Sequence, residues 1–239
     1  MRVLALDTTT RGGSAALVED QQVVAGDVGD ATRSQAEQLP ALLQQLLERT
    51  GVPLAGVDRF AVASGPGSFT GLRIGIATIQ GLALVCGRPV VPVSALEALG
   101  QMGSQGLSSG SLVAAWMDAH RGEVFTALYR VTDAPEFSRE RLVEVEPASV
   151  GDPVTTLKRW DSFQMPSTSV FIGDGAMAYP EAIGQRGLIR PPDPLAAAVG
   201  LAAVWYARRG ADVEPGSVQP LYVRRPDAEI ARDRRAPVR

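Results

Sequence analysis

The chain repeats itself. An apolar run ending in aspartate, a short polar turn, Arg-Gly and a second apolar run make up RVLALDTTTRGGSAALVED, residues 2–20. The same order returns in SLVAAWMDAHRGEVFTALYRV, residues 111–131. Asp7 and Asp118 close the two first runs, Arg11-Gly12 and Arg121-Gly122 open the two second runs, and the turns differ in length by one residue. Alternating β-rich runs around a Thr/Gly or Gly-containing turn read as hairpins. A repeat this long points to one duplicated α/β unit.

The elements between the copies fit that reading. QQVVAGDV continues the first hairpin as a third strand. SQAEQLPALLQQLLERT, residues 34–50, carries Leu39, Leu42, Leu43, Leu46 and Leu47 on one helical stripe. Pro40 is tolerated there only near the first turn or as a kink. DRFAVASG reads as a short buried strand, GPGSFTGLRIGIATIQGLAL as a glycine-rich loop entering a helix, and PVVPV as a strand. SALEALGQM reads as a helix with Ser94 as N-cap and Glu97 at the capping-box position. GSQGLSSG, residues 103–110, is a Gly/Ser-rich linker that divides a first half, 1–103, from a second, 111–223. The second half is looser: a β-run at RLVEVEP, an irregular or helical DPVTTLKRWDSF, a strand in SVFIGDGA and a helix over 193–209. The expected fold class is α/β, two tandem βββαβα halves. It resembles the actin/sugar-kinase/heat-shock-ATPase (ASKHA) architecture, in which the two hairpin turns grip ATP phosphates across a cleft through backbone N–H groups.

Composition narrows the setting. One cysteine in 239 residues rules out an internal disulfide. MRVLALDTTT meets Asp7 too early for a signal-peptide core. No uncharged apolar run reaches the roughly 18–20 residues of a membrane span. The longest candidate, DPLAAAVGLAAVWYARRG, is bounded by Asp193 and Arg208-Arg209 and reads as a buried helix. A cytoplasmic protein with no membrane partner is expected. Residues 224–239 form a basic tail of six arginines and three acids, expected to be frayed and solvated, and the rest carries 17 basic against 23 acidic residues. An acidic body is a poor platform for nucleic acid, so RNA is expected to be met only indirectly.

Chemistry-bearing residues are sparse. His120 is the sole histidine and Cys86 the sole cysteine, so no transition-metal site of the usual N/S type is expected. A carboxylate-only Mg site stays open. His120 reads as an exposed turn residue and Cys86 as a small buried hydrophobe. The turn DTTTRGGS, with Thr9, retains the character of a phosphate turn. Its counterpart DAHRGEVF carries His120, Arg121 and Glu123, and Glu123 would repel phosphate. Asp7 and Asp118 read either as Mg ligands or as turn caps. By analogy Gly173 and Gly175 in GDGAMAY stand where an adenosine-contacting pair would be. No catalytic set and no cofactor are expected, with residual ATP or ADP binding left open. GPGSFTG lacks the lysine of a P-loop, and Ser68 or Thr70 reads as the N-cap.

The helix after that loop raises a separate question, because interior glycines cost a helix about 1 kcal/mol each. Gly71, Gly75, Thr78 and Leu82 share a narrow sector, while Leu72, Ile76, Ile79 and Ala83 form an apolar face adequate for the core. Small residues at that spacing admit another backbone, either this protein's own sheet or a partner helix. The expectation is a partner interface of Leu39, Leu43, Gly71, Arg73, Gly75, Thr78 and Leu82.

LALDTTT…SAAL, GPGSFTGLRIGIATIQGLAL and DAHRGEVF together resemble the TsaB family, a bacterial subunit of the machinery that makes threonylcarbamoyladenosine beside the tRNA anticodon. The likeness covers most of residues 1–130, is strongest at GPGSFTGLRIG, and thins beyond Gly175. It implies a non-catalytic scaffold and dimerisation subunit that self-associates when alone and binds a TsaD-like catalytic paralogue. The paralogue would transfer threonylcarbamoyl to tRNA, with a TsaE-like P-loop ATPase as third partner. The catalytic paralogue's metal-binding His-x-x-x-His pair has no counterpart here. The alternative is a catalytic enzyme of the same fold, an ATP-dependent kinase or a glycoprotease-like hydrolase. A third reading is a tRNA-binding module with the arginine tail as reader.

Overall fold

β-branched and apolar runs build the first sheet. In the computed structural model, which describes residues 1–224, β1 (Arg2–Asp7), β2 (Ser14–Glu19) and β3 (Gln22–Val28) form an antiparallel meander. α1 (Gln35–Thr50) leads to β4 (Arg59–Gly65), and α2 (Phe69–Cys86) leads to β5 (Val90–Ser94). β4 and β5 add in parallel on the other side of β1, giving the order β3-β2-β1-β4-β5. α3 (Ala95–Ser104) ends this half. Ser34, Ser68 and Ser94 cap α1, α2 and α3 by accepting from the backbone N–H three residues on.

The second sheet repeats the plan. β6 (Leu112–Asp118), β7 (Val124–Val131) and β8 (Leu142–Gly151) form the meander. α4 (Pro153–Trp160), β9 (Val170–Ile172), α5 (Asp174–Ala178), α6 (Pro180–Ile183), β10 (Leu188–Arg190) and α7 (Leu195–Arg208) follow. The order is β10-β9-β6-β7-β8, strand for strand that of the first sheet. The first half is one strand and one helix longer than βββαβα, and the second one strand and two helices longer; β10, with three residues, is the strand that no run of sequence marks.

Three apolar layers hold the halves. Leu4, Leu6, Phe60 and Val62 meet Leu39, Leu43, Leu46, Leu72 and Ile79 on the outer face of the first sheet. Trp116, Trp160 and Phe171 pack edge-to-face on the outer face of the second. The largest layer lies between the sheets and is shared. The linker parts the strands but not the helices: α7 crosses back onto β1, β2, β4 and β5, and α3 packs on β6, β7 and β9. Between α3 and α7, the Tyr206 hydroxyl donates to Glu97 Oε1 at 2.5 Å. Burial holds the Glu97 carboxyl above the ordinary glutamate range.

α2, and not the helix over 193–209, is the longer apolar helix. Its 18 residues are long and apolar enough to cross a bilayer by length and composition alone. It carries Arg73, and its Leu72, Ile76, Ile79 and Ala83 side packs into the core of the first half. Cys86, at its end, is half-buried. The arginine-rich tail of the sequence lies outside the described residues, except for Arg224.

Candidate functional site

A cleft of about 790 Å³ opens between the halves. The two hairpin turns, the GPGSFTG loop, the start of α1, Asp174 of α5 and the segment Leu221–Arg224 line it. The duplicated motifs therefore do converge on one cavity, from opposite sides.

The first turn is closed on itself. Asp7 is fully buried. Its Oδ1 accepts from the Thr9 N–H at 2.8 Å and the Thr9 hydroxyl at 2.5 Å, and its Oδ2 accepts from the Thr10 hydroxyl. Burial is the largest influence on this carboxyl and raises its pKa, against the hydrogen bonds that lower it. Both Asp7 oxygens are occupied within the turn, so the residue acts as a turn cap. The turn's carbonyls are also taken. Gln35 Nε2 donates to Thr8 O and Thr10 O, both at 3.1 Å, Gln38 Nε2 to Gly12 O at 3.2 Å, and Ser68 N to Thr9 O at 3.1 Å.

Gly71 and Gly75 press on the same turn. A Cβ on Gly71 would overlap the Thr8 carbonyl oxygen, and one on Gly75 would overlap the Thr8 hydroxyl. This corrects the expected interface at those two positions: the glycines admit this protein's own β1 turn, not a partner's helix. Leu39 and Leu43, 2% and 6% exposed, are core residues. Leu82 is half-buried against the same core. Thr78 is half-buried and its hydroxyl donates to Ile74 O at 2.8 Å. Arg73 alone of the expected set is exposed. The outward face of α2 is instead Phe69, Arg73, Ala77, Gly81, Leu84 and Val85, with Leu84 74% and Val85 84% exposed.

The second turn is open. Asp118 is half-buried, and its Oδ1 accepts from the His120 N–H at 2.9 Å while His120 Nδ1 lies 3.3 Å from Oδ2. Its own N–H donates to Asp174 Oδ1 at 2.9 Å. Burial raises the Asp174 carboxyl above the ordinary range. Gly173 and Gly175 do not line the cavity. A Cβ on Gly173 would overlap the Trp116 carbonyl, and one on Gly175 would sit 2.8 Å from Met117 C, so the pair lets α5 lie against β6.

Glu123 does not stand as a bare negative charge. Arg224 Nη2 pairs with its carboxylate, Nη1 donates to Ala119 O at 2.8 Å, and the guanidinium carbon lies 5.5 Å from the centre of the Phe125 ring. Sequence reasoning missed Arg224, Tyr222, Gln35 and Gln38. The glutamines carry a weak signal, standing in the first turn of an N-capped helix on its inner side. The Arg224 contact, about a hundred residues from its partners, carries none. Among the described residues no three His, Cys, Asp or Glu side chains converge as a metal site.

Two duplicated sheets facing a cleft through their hairpin turns define an α/β protein of the ASKHA type. A (R)-2-hydroxyglutaryl-CoA dehydratase component A from Acidaminococcus fermentans shares this fold, with a TM-score of 0.51 at 11% identity over 88% of this chain and 99% of that one. The family model described as TsaD, tRNA N6-adenosine threonylcarbamoyltransferase, matches residues 29–181. The Escherichia coli tRNA threonylcarbamoyladenosine biosynthesis protein TsaB is 33% identical over 79% of this chain and 78% of its own. A Pseudomonas aeruginosa protein described as similar to peptidase YEAZ superposes with a TM-score of 0.77 at 31% identity, over 93% of this chain and 99% of that one. The chain belongs to the TsaB family.

Proposed function

We propose that this protein acts in tRNA threonylcarbamoyladenosine biosynthesis as a non-catalytic cytoplasmic subunit, docking a TsaD-type catalytic partner on the outward face of α2. Alone it pairs with a second copy through the same face; a TsaE-type ATPase joins the assembly, and tRNA is met only through the partner. One observation carries the reading. Leu84 and Val85 stand almost fully exposed, with Phe69 40% exposed on the same side, on a helix whose opposite side is already packed. Large apolar side chains aligned on one face of a well-anchored helix mark an interaction surface.

The test is the double substitution Leu84→Lys/Val85→Lys, which puts the charge that the end of a helix favours into the last turn of α2. Exposed positions of this kind typically change stability by about 0.5 kcal/mol or less, so the melting temperature should hold. Light scattering should show loss of self-association and of binding to the TsaD-type subunit from the same source. A folded variant with unchanged assembly overturns the proposal. The catalytic alternative is checked separately: the pure chain should show no ATP turnover or peptide cleavage above a heat-killed control.

A further inference from the structure

The second hairpin turn stands in its copy's place in the fold and carries a carboxylate, Glu123, where the first turn has none between Asp7 and Ser14. We propose that it is a guanidinium-binding site, that Arg224 is its resident ligand, and that the segment Leu221–Arg224 is thereby a strap fastening the two halves across the cleft.

The strap touches both halves in sequence. At its start the Leu221 N–H donates to Ser64 O of β4 at 2.7 Å. The adjacent Gly65, at φ +117, passes so close that a Cβ there would lie 2.6 Å from the Leu221 carbonyl. In the middle, the Tyr222 ring lies 5.4 Å from that of Phe69, and its hydroxyl accepts from Arg73 Nε at 3.1 Å. These are first-half contacts. At the end, Arg224 reaches the second half. Its guanidinium meets a main-chain carbonyl, a carboxylate and an aromatic ring. This combination suits the ligand: a planar cation donates in its plane to two acceptors and stacks its face on a ring. The receptor is built into the turn. Ala119 N donates to Glu123 O at 3.0 Å and Glu123 N to His120 O at 3.1 Å. That closure fixes the Ala119 carbonyl and the Glu123 side chain on one short loop. A carboxylate there disfavours phosphate and favours a cation, the opposite of what a phosphate turn needs.

The strap is held by modest forces at its far end. The Arg224 and Glu123 side chains are 24% and 41% exposed, so the pair is screened and weaker than a buried one. It is therefore suited to be fastened and released, which opens the cleft between the turns. The strap borders the α2 face of the partner-docking proposal through Tyr222 on Phe69 and Arg73, but the Arg224 site on the second turn involves no residue of that face.

The experiment is hydrogen exchange by mass spectrometry on the full-length protein and its variants. Peptides spanning 217–223, 65–73 and 119–125 are followed. Arg224→Ala should speed exchange of the Leu221 amide and of the 119–125 turn by roughly three- to tenfold, the range set by partly exposed charge-assisted contacts. Glu123→Gln should act in the same direction and less strongly. Arg224→Lys should fail to restore protection, because an ammonium cannot serve both acceptors and the ring as a plane does. Ethylguanidinium added to Arg224→Ala should re-protect 119–125 but not 217–223, separating the site from the strap. Unchanged exchange in Arg224→Ala, full protection in Arg224→Lys, or a uniform rise across all peptides with a lower melting temperature would each overturn the proposal.

Discussion

The first and second hairpin turns descend from one pattern and now sit in opposite surroundings. The first is roofed by α1 and α2: glutamine amides cap its carbonyls, two glycines press on Thr8, and Asp7 satisfies the Thr9 and Thr10 hydroxyls. The second has no such roof. His120 and Arg121 take left-handed conformations at φ +58 each, Gly122 follows at +78, and the turn's Glu123 pairs with an arginine from the end of the described chain. Small residues let a turn be buried under helices. Large charged ones keep it at the surface, available to the rest of the molecule. The duplication thus separates a fixed pivot from an adjustable edge on the two sides of one cleft.

The sharpest way to break this contrast is to add one methyl group to each side. Gly71→Ala drives a Cβ into the backbone oxygen of Thr8, which has no rotamer by which to yield. A loss of about 3 kcal/mol or more is expected, at the upper end of overpacking costs. Gly122→Ala meets nothing within 4 Å and incurs only the left-handed conformation, about 1 kcal/mol. Urea unfolding of the two variants measures both. Equal losses would mean that the first turn is no more confined than the second. By the same geometry Gly75→Leu should unfold the monomer instead of separating a complex.

The aspartates should differ next. Asp7→Ala strands the buried Thr9 N–H and the Thr9 and Thr10 hydroxyls. At about 1–3 kcal/mol per buried unsatisfied group, with partial rearrangement, a cost of about 3 kcal/mol is expected. Asp118→Ala loses a half-exposed cap on the His120 N–H and should cost about 1 kcal/mol. The pH dependence sharpens the point. Asp7 is raised above the 3.8 of a free aspartate, chiefly by burial. As pH rises past that value the unfolded chain releases its proton first. The native state then binds more protons, and stability falls until the native carboxyl also ionises, after which it is level. Asp7→Asn cannot titrate, so the stability gap between wild type and variant should narrow as pH rises through that window. A gap that widens there would show Asp7 to be held below the ordinary range.

Which of these features the sequence discloses depends on range. The hairpins are local, and their repetition is enough to imply two like sheets, since alternation and turn residues act within a dozen positions. The helix starts at Ser34, Ser68 and Ser94 are equally local. What lies on the far side of a helix is not. Gly71, Gly75, Thr78 and Leu82 share a sector whatever covers them, and only the fold reveals that Thr8, more than sixty residues earlier, fills it at the two glycines. The outward stripe through Phe69, Arg73, Leu84 and Val85 was hidden for the converse reason. A helix rich in apolar residues all round offers no polar face to mark which side meets water. The crossing of α7 onto the first sheet and the docking of Arg224 on the second turn are long-range too. Neither has a signature in spacing.

The smallest expected effect comes from making the second turn more like a conventional one. His120 stands at φ +58, a conformation that histidine tolerates better than most side chains and asparagine better still. His120→Asn should therefore relieve part of that strain. It gives up little in exchange: the His120 side chain is 81% exposed, so its contact with Asp118 is screened, and the backbone bond from His120 N to Asp118 survives the substitution. A gain of a few tenths of a kcal/mol is expected, about a degree or two in melting temperature for a chain of this size. The informative part is the locality. If the second turn is an edge independent of the first, the gain should appear without any change in exchange at Thr8–Thr10 or in the Gly71 region. A variant that loosens those segments would show that the two turns are mechanically joined across the cleft, and the division into pivot and edge would have to be given up.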